Sequence, residues 1–356
     1  MEYQADWLKD VLKIIAPGTL LRQGLENILR ARTGALLVIG DTEEVLGIVE
    51  GGFNINAELT PSRLYELAKM DGAIVLNSEN DRILCANTQL IPDPSISSSE
   101  TGIRHRTAER VARQTGELVI SISQRRDIIS LYRGENKHVL QDIRVVLAEA
   151  NQAVQTLDKY RSVLDQVLIN LSALEFEDLV TIGDVVTVIQ RCERVLKIQK
   201  EIEKYISELG NEGRLIKMQL DELVVNVEEE AVLLIKDFIT EDKETEPEEL
   251  LIEIIDYSSE EMLSMNIISK ALGHSGKLNA LDMSVSPRGY RILRKIPRLP
   301  MPVIENLVAK FEKLTAIINA STEELDEVDG IGEVRAHTIK DGLRRLRDQV
   351  LLDRHI

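Results

Sequence analysis

The apolar residues of the first 135 positions alternate between helical spacing and short β-prone runs. Helical spacing is found over residues 7–15, 20–32, 61–69 and 106–114. Runs bounded by turn residues predict strands at residues 35–39, 45–49, 73–76, 82–86, 118–122 and 128–132. This mixture predicts an α/β domain with a mixed sheet that is covered by helices and ends near residue 135.

Beyond Gly134 the pattern becomes one long apolar stripe. Apolar residues from Leu140 to Leu171 keep a near-heptad spacing without an internal Gly or Pro, which predicts one long helix. Two further helices are predicted over residues 184–210 and 214–238, and together the three form an antiparallel bundle. The charge run at residues 241–249 predicts a solvated loop.

The last segment contains two similar helical units. Ser321 and Glu324 have the spacing of a capping box, and Gly330-Ile331-Gly332 separates that short helix from another over residues 333–346. A degenerate copy precedes it at residues 290–311, where Pro297-Arg298-Leu299-Pro300 replaces the glycine turn. We therefore predict three domains. They are an α/β domain at residues 1–136, an all-α helical spine at 137–285 and a tandem helix-hairpin-helix domain at 286–356.

Composition agrees with a multidomain protein rich in helix. The chain has 356 residues, of which 44% are hydrophobic and only 3% aromatic, and this length exceeds one ordinary core. No apolar run reaches the roughly 20 residues of a spanning helix, and the N-terminus lacks a basic signal region. We therefore expect a cytoplasmic protein with no membrane partner. Cys85 and Cys192 have no partner spacing and are expected to be buried small side chains.

The net charge is unevenly distributed along the chain. The whole chain carries −17, but residues 286–356 contain thirteen Lys or Arg against eleven Asp or Glu, giving +2 there and −19 elsewhere. A polyanion is therefore expected to bind at the C-terminal end.

The Gly330-Ile331-Gly332 turn has the chemistry of a phosphate site. Two glycines permit a tight turn whose N–H groups point outward at a helix start, while Ile331 anchors the turn in the core. Arg335 adds charge one turn into the helix, and Lys340, Arg344 and Arg345 are further candidates. Such contacts are made to phosphate, so the turn favours DNA binding without sequence preference. The alternative is an ordinary helical turn.

Two short clusters in the first domain are candidates for catalysis. Asp71-Gly72-Ala73 opens a β-prone run, although Asp-Gly alone most often forms a turn. Arg104-His105-Arg106 precedes a helix and follows Ser97-Ser98-Ser99, and arginines beside hydroxyls favour a triphosphate. His105 lacks partners at zinc-ligand spacing. The P-loop, dinucleotide and serine-elbow motifs are absent from the sequence, which disfavours the common nucleotide folds.

The two clusters, Asp71-Gly72-Ala73 and Arg104-His105-Arg106-Thr107, resemble the signature motifs of diadenylate cyclase domains. With the helical spine and the helix-hairpin-helix tail, the chain resembles the DNA integrity scanning family from end to end. The resemblance implies condensation of two ATP into cyclic di-AMP and two pyrophosphates, with Mg²⁺ or Mn²⁺ as cofactor. It also implies regulation of synthesis by branched DNA of the recombination-junction type, in DNA-integrity checkpoint signalling.

The resemblance also assigns roles to single residues. Asp71 would bind the metal and position or deprotonate the attacking ribose 3′-hydroxyl, with Arg104 and Arg106 as further catalytic groups. Nucleotide contacts would come from Gly72, Ala73, Leu90, Ile103, Arg104, His105, Arg106, Thr107 and Ser123. DNA contacts would come from Gly330, Ile331, Gly332 and Arg335. The family implies a homo-octamer with face-to-face cyclase domains, which suits a two-fold symmetric product. The alternative function is a branched-DNA-binding protein that senses a nucleotide without cyclase turnover.

Overall fold

The fold is that of a computed structural model, which describes residues 2–274 and 280–353. It divides into two compact units. The N-terminal unit contains Met1–Gln152 and Glu203–Met218, and the C-terminal unit contains Ala153–Ile202 and Gln219–Ile356. The three-domain division predicted from the sequence stays a prediction beside these two units.

The strands are β1 Ala35–Ile39, β2 Val49–Glu50, β3 Phe53–Glu58, β4 Ala73–Leu76, β5 Arg82–Leu90, β6 Leu118–Ser123, β7 Ile128–Arg133 and β8 Asn136–Leu140. The helices up to residue 209 are α1 Glu2–Ile14, α2 Leu20–Arg30, α3 Glu43–Leu46, α4 Pro61–Leu67, α5 Ile103–Thr115, α6 Ile143–Glu177 and α7 Ile182–Leu209. The helices that follow are α8 Arg214–Leu223, α9 Val227–Phe238, α10 Pro247–Asp256, α11 Ser259–Leu263, α12 Met265–Ala271, α13 Tyr290–Arg294, α14 Met301–Phe311, α15 Leu314–Asn319, α16 Thr322–Asp326 and α17 Glu333–Asp353.

The eight strands form one mixed sheet, as predicted. Its order is β2-β5-β4-β1-β6-β7-β8, with β3 also paired to β5. The pairing of β1 with β4 is parallel, whereas β6 lies antiparallel on the other side of β1.

The central strand β1 explains why helices cover both faces of the sheet. All five of its residues are buried. Leu37 belongs to one apolar cluster with residues of α1 and α2, whereas its neighbour Val38 belongs to another with Val111 of α5. Adjacent residues of a strand point to opposite faces, and burying each such side chain contributes about 1.5–3 kcal/mol. An uninterrupted apolar run is therefore stable only between two helical layers.

The predicted strand at residues 45–49 is wrong. Residues 43–46 form α3, because the Thr42 hydroxyl accepts a hydrogen bond from the Val45 N–H at 3.4 Å and two glutamates occupy the first turn. Only β2 follows. The strands β3 and β8 were not predicted from the sequence, and β8 extends the sheet past the predicted end near residue 135.

The long helix is confirmed, with different limits. Helix α6 runs over Ile143–Glu177, while Leu140, the first residue of the predicted stripe, lies in β8. The predicted helix at 214–238 is interrupted between α8 and α9, where Asn226 has a left-handed φ of 61°. The predicted loop at 241–249 is shorter than expected, since α10 begins at Pro247.

In the C-terminal unit a buried arginine connects three helices. The Arg291 side chain is fully buried and forms an ion pair with the buried Glu175 of α6. It also donates to Ser172 Oγ at 2.9 Å and to a Glu230 oxygen at 3.2 Å. Asp237 of α9 accepts the backbone N–H groups of residues 289, 290 and 291 at 2.7, 2.7 and 3.0 Å. We call these five side chains the Arg291 cluster.

Candidate functional site

The strand register gathers the predicted cyclase residues at one end of the sheet. Leu37 of β1 pairs with Ile74 of β4, so the two strands begin side by side. Ala73 pairs with Thr88 near the end of β5. On the other side of β1, the first residue, Ala35, pairs with Ile122 near the end of β6. We call this end, formed by the starts of β1 and β4 and the ends of β5 and β6, the site end.

Asp71 and Gly72 form a rigid turn at the site end. Gly72 has φ +95°, and an added Cβ would lie 2.7 Å from the carbonyl oxygen of Thr88, so a side chain does not fit. The Asn87 amide donates to the carbonyl oxygen of Asp71 at 2.6 Å, which fixes the backbone. The Asp71 carboxylate is exposed and has no hydrogen bond or ion pair within the part of the chain that the structure describes. The turn therefore presents an unpaired carboxylate on a fixed backbone.

Arg104, at the start of α5, lies against the start of β1. A Cβ added to Gly34 would come within 2.0 Å of Arg104 Nη1, so the guanidinium packs directly on the Gly34 backbone. The side chain is half-buried and finds no hydrogen-bond or ion-pair partner among residues 2–274 and 280–353. Gly34 was not predicted as a site residue. The sequence signal that could have identified Gly34 was its position immediately before an apolar run that predicts a buried strand.

The other residues of the second motif are placed differently. Ile103 is 83% exposed at the first position of α5. Arg106 donates to the carbonyl oxygen of Thr101 at 3.2 Å, and the Thr107 hydroxyl donates to that of Ile103 at 3.1 Å. These two side chains are therefore partly engaged by their own loop and helix.

His105 belongs to a chain of polar side chains. Its Nδ1 lies 3.1 Å from the hydroxyl of the buried Tyr132, which donates to Glu100 at 2.9 Å. Lys137 donates to the same Glu100 oxygen and forms an ion pair with it. Burial alone would raise the pKa of Glu100, but the hydrogen bonds from Lys137 and Tyr132 lower it. Burial lowers the pKa of His105 below its ordinary 6.5. Glu100 is therefore ionised and His105 neutral at pH 7.

The serines before α5 have structural partners. Ser98 and Ser99 both donate to the buried carboxylate of Glu109, and Arg113 donates to the carbonyl oxygen of Ser97 at 2.8 Å. The Ser98 and Ser99 hydroxyls were expected to donate to a triphosphate, but in the structure both donate to Glu109. Their role here is to fasten the loop onto α5.

Leu90 and Ser123 both lie at strand ends. Leu90 is 8% exposed and pairs with Val49. Ser123 ends β6, and its hydroxyl accepts the backbone N–H of Arg126 at 3.3 Å. The predicted residues Gly72, Ala73, Leu90, Arg104 and Ser123 thus all belong to the site end or border it.

A divalent cation fits the donors at the site end. The described residues contain no cluster of three or more His, Cys, Asp or Glu side chains that could enclose a metal. Mg²⁺ usually takes one or two carboxylates, with substrate phosphates and water completing its shell. The unpaired Asp71 oxygens suit that mode of binding, in which the nucleotide supplies further ligands.

The C-terminal turn has the predicted geometry. Gly330 has φ +82°, Ile331 is 7% exposed within the apolar cluster, and the capping box of Ser321 and Glu324 is present. Arg335 donates to the carbonyl oxygen of Gly330. A depression of about 530 Å³ is lined by both turns, including Arg298 and Gly332. The Arg335 N–H donates to the carbonyl oxygen of Gly332 at 2.8 Å, whereas the N–H groups of Glu333 and Val334, the first two of α17, have no hydrogen-bond partner among the described residues.

Lys340 is not available to a phosphate, contrary to expectation. Its ammonium donates to the carbonyl oxygens of Ile318 and Ala320 at 2.9 and 2.6 Å, at the end of α15.

Over the described ranges 2–274 and 280–353, every helix is too short or too polar to cross a bilayer.

Comparisons with known proteins cover nearly the whole chain. Residues 22–137 match the family model of the DisA bacterial checkpoint controller nucleotide-binding domain, and residues 140–281 match that of its linker region. A DNA integrity scanning protein DisA of Clostridium botulinum is 58% identical over 347 residues, 98% of each chain. The protein of that name from Carboxydothermus hydrogenoformans is 59% identical over 338 residues, 95% of this chain and 96% of its own.

A solved structure is more distantly similar. The crystal structure of a double mutant of DacA from Staphylococcus aureus shares 22% identity with a TM-score of 0.30, covering 38% of this chain and 90% of its own. The full-length relatives and the two matching family models carry the assignment. The chain belongs to the family of DNA integrity scanning proteins, DisA.

Proposed function

We propose that this diadenylate cyclase condenses two ATP molecules into cyclic di-AMP and two pyrophosphates at the site end of the sheet. The observation that carries the proposal is that the Asp71 carboxylate and the Arg104 guanidinium lie at the same end of the sheet. Neither group has a hydrogen-bond or ion-pair partner among the described residues. Phosphoryl transfer depends mainly on positioning and charge stabilisation, and a free carboxylate with a free guanidinium provides both.

Each residue of the two motifs has a role in this proposal. Asp71 binds Mg²⁺ or Mn²⁺ and orients the ribose 3′-hydroxyl of one ATP toward the α-phosphorus of another. The bound cation would neutralise phosphate charge and increase the acidity of that hydroxyl. Arg104 and Arg106 bind phosphate oxygens, and Ser123 adds a hydroxyl. The backbone at Gly72, Ala73 and Leu90, with residues 103–107, forms the nucleotide contacts.

The symmetry of the reaction requires a second copy of the chain. Cyclic di-AMP contains two equivalent phosphodiesters, so each ATP supplies one attacking hydroxyl and one α-phosphate. Two identical site ends that face each other provide this arrangement, whereas one isolated site end provides only half of it. Face-to-face cyclase domains within a homo-octamer are therefore part of the proposal, together with a cytoplasmic location beside ATP and the chromosome.

The C-terminal region is proposed to be a tandem helix-hairpin-helix domain that binds branched DNA and thereby regulates synthesis. Support comes from the left-handed Gly330, the buried Ile331 and the depression that both turns line. Phosphate oxygens would accept hydrogen bonds from the free N–H groups at the start of α17. Gly332 and Arg335 complete the proposed contact surface, which recognises backbone rather than bases.

The catalytic proposal is tested by incubating the full-length protein with ATP and Mg²⁺ or Mn²⁺ and identifying products by mass. Cyclic di-AMP and pyrophosphate are expected from the wild type, while Asp71→Asn and a chelated sample should give neither. Asp41→Asn is a matched control, because Asp41 is an exposed acid that follows β1 at the opposite end of the sheet. Full activity of Asp71→Asn would refute the proposed role. Tight ATP binding without product would favour the nucleotide-sensing alternative.

The DNA proposal is tested with Gly332→Leu and a four-way junction. The φ of Gly332 lies outside the left-handed region, and the nearest atom to an added Cβ lies 4.0 Å away, so the variant should fold. We expect weaker junction binding with unchanged cyclase activity in the absence of DNA. Gly330→Leu is less informative because its φ of +82° disfavours any side chain. Unchanged affinity of Gly332→Leu at low salt would contradict the proposed surface.

A further inference from the structure

The hydrogen-bond directions along Lys137, Glu100, Tyr132 and His105 are determined by the charges at one end. Glu100 is ionised, so its carboxylate can only accept hydrogen bonds. The Tyr132 hydroxyl has a single hydrogen, which it donates to Glu100. The same hydroxyl lies 3.1 Å from His105 Nδ1 and must accept there, so Nδ1 carries a proton.

This assignment determines the other nitrogen of the ring. A neutral imidazole has one N–H group, so protonated Nδ1 leaves Nε2 with a lone pair. Nε2 has no hydrogen-bond partner among the described residues. The ring itself is half-buried and packs at a tilt against Tyr132, with 6.3 Å between ring centroids.

We infer that Lys137, Glu100 and Tyr132 fix His105 as the neutral Nδ1–H tautomer, so that Nε2 accepts a hydrogen bond from a hydroxyl or amino group of the bound nucleotide. The ligand identity rests on the proposed function. This contact is made to a donor group of the nucleotide and not to a phosphate, because ionised phosphate oxygens offer only lone pairs and would repel an acceptor. The hydrogens that ATP can donate are those of its ribose hydroxyls and its adenine amino group.

Glu100, Tyr132 and Lys137 are therefore positioning residues that act through His105. Tyr132 lies in β7 and Lys137 in β8, and both belong to the sheet. Glu100 lies in the loop before α5, and Glu109 fastens this loop onto that helix by accepting the backbone N–H of Ser99. The charged groups that act on His105 are Glu100, which favours its protonation, and Lys137, Arg126 and Arg104, which oppose it.

The tautomer is measured by solid-state ¹⁵N NMR of full-length protein labelled at histidine. The His105 signal, assigned with His105→Asn, should show a protonated Nδ1 and an unprotonated Nε2. Tyr132→Phe removes only the hydroxyl and should give a mixture of tautomers. Tyr257→Phe is the matched control, since Tyr257 donates to Glu253 at 2.8 Å in the C-terminal unit. A protonated Nε2 in the wild type, or no change in Tyr132→Phe, would overturn the inference.

The ligand side is measured by binding of 2′-deoxy-ATP, 3′-deoxy-ATP and the triphosphate of purine riboside, which lacks the amino group. One analogue should bind roughly 2- to 12-fold more weakly than ATP, as expected for one hydrogen bond of about 0.5–1.5 kcal/mol. In His105→Asn the amide can replace Nδ1 but not Nε2, so this preference should disappear. Equal preferences in wild type and variant would refute the contact. Both readouts are independent of turnover, so a failed cyclase assay and a failed tautomer assignment remain distinguishable.

Discussion

Replacing Gly34 with alanine is expected to weaken nucleotide binding without destabilising the fold. The new Cβ would lie 2.0 Å from Nη1 and 2.7 Å from Cζ of Arg104, whereas ordinary contact begins at 3.4 Å. The guanidinium must therefore move by about 1.4 Å. Such a shift would stretch the proposed hydrogen bond from Arg104 to a phosphate oxygen, about 2.9 Å long, beyond hydrogen-bonding distance. Loss of one charge-assisted bond costs about 1.5–3 kcal/mol, or roughly 10- to 150-fold in Kd.

The fold should tolerate this substitution for two reasons. Gly34 is outside the left-handed region, and the atoms in the way belong to the end of a flexible side chain. A glycine-to-alanine change at such a position usually stabilises by about 0.4–1 kcal/mol through the unfolded chain. The melting temperature of Gly34→Ala should therefore match or exceed that of the wild type.

The assay is calorimetric binding of a non-reactive ATP analogue in the presence of Mg²⁺. The control is a double-mutant cycle with Arg104→Ala, in which Gly34→Ala should add less than about 0.5 kcal/mol to the binding free energy, because the guanidinium that the new Cβ would meet is gone. An undiminished effect of Gly34→Ala in the Arg104→Ala background would refute the reasoning, as would a large fall in melting temperature.

Three other perturbations test the described contacts. Arg291→Met should lower the free energy of unfolding in urea by about 3–5 kcal/mol, because it leaves buried Glu175 unpaired. Its control, Arg294→Met, removes an exposed ion pair with Glu229 and should cost about 0–1 kcal/mol. Gly72→Ala should reduce both melting temperature and cyclic di-AMP synthesis, since a φ of +95° costs about 1–3 kcal/mol and the Cβ meets Thr88; normal values of both would contradict the strain. For His105, burial lowers the folded-state pKa, so its stabilisation is complete above pH 6.5 and is lost as pH falls through the folded pKa. Thermal melts of His105→Asn should therefore show a smaller loss of stability below pH 6.5 than the wild type.

The sequence predicted best those elements whose signal is local. The limits of β1 and β4 were correct because both are uninterrupted apolar runs between turn residues. The strand predicted at residues 45–49 was wrong because a capping threonine followed by two glutamates favours a helix start, which outweighed three β-prone side chains. β3 alternates apolar and polar residues, but it was missed because asparagine, which occupies two of its six positions, is disfavoured in strands.

The site was predictable in its motifs and not in its supporting contacts. Asp71 and Arg104 each stand in a short recognisable cluster. Tyr132, by contrast, meets His105 only because β7 pairs with β6 in one register beside α5, and no pattern within 27 residues of chain encodes that. The contact of Arg104 with Gly34 also depends on tertiary packing between distant segments. Such pairs follow from the fold and become visible only with it.

The Arg291 cluster determines how the molecule can be dissected. The first helix after residue 286, α13, receives its N-terminal hydrogen-bond acceptor from Asp237 and the counter-charges of its buried arginine from Glu175 and Glu230. A fragment that starts at residue 286 would leave the backbone N–H groups of residues 289, 290 and 291 without their acceptor. It would also leave the Arg291 guanidinium without its carboxylate partners. The segment proposed to bind DNA is thus not expected to fold on its own, and a stable fragment has to begin upstream of Ser172, so that it retains the second half of α6 and all of α9.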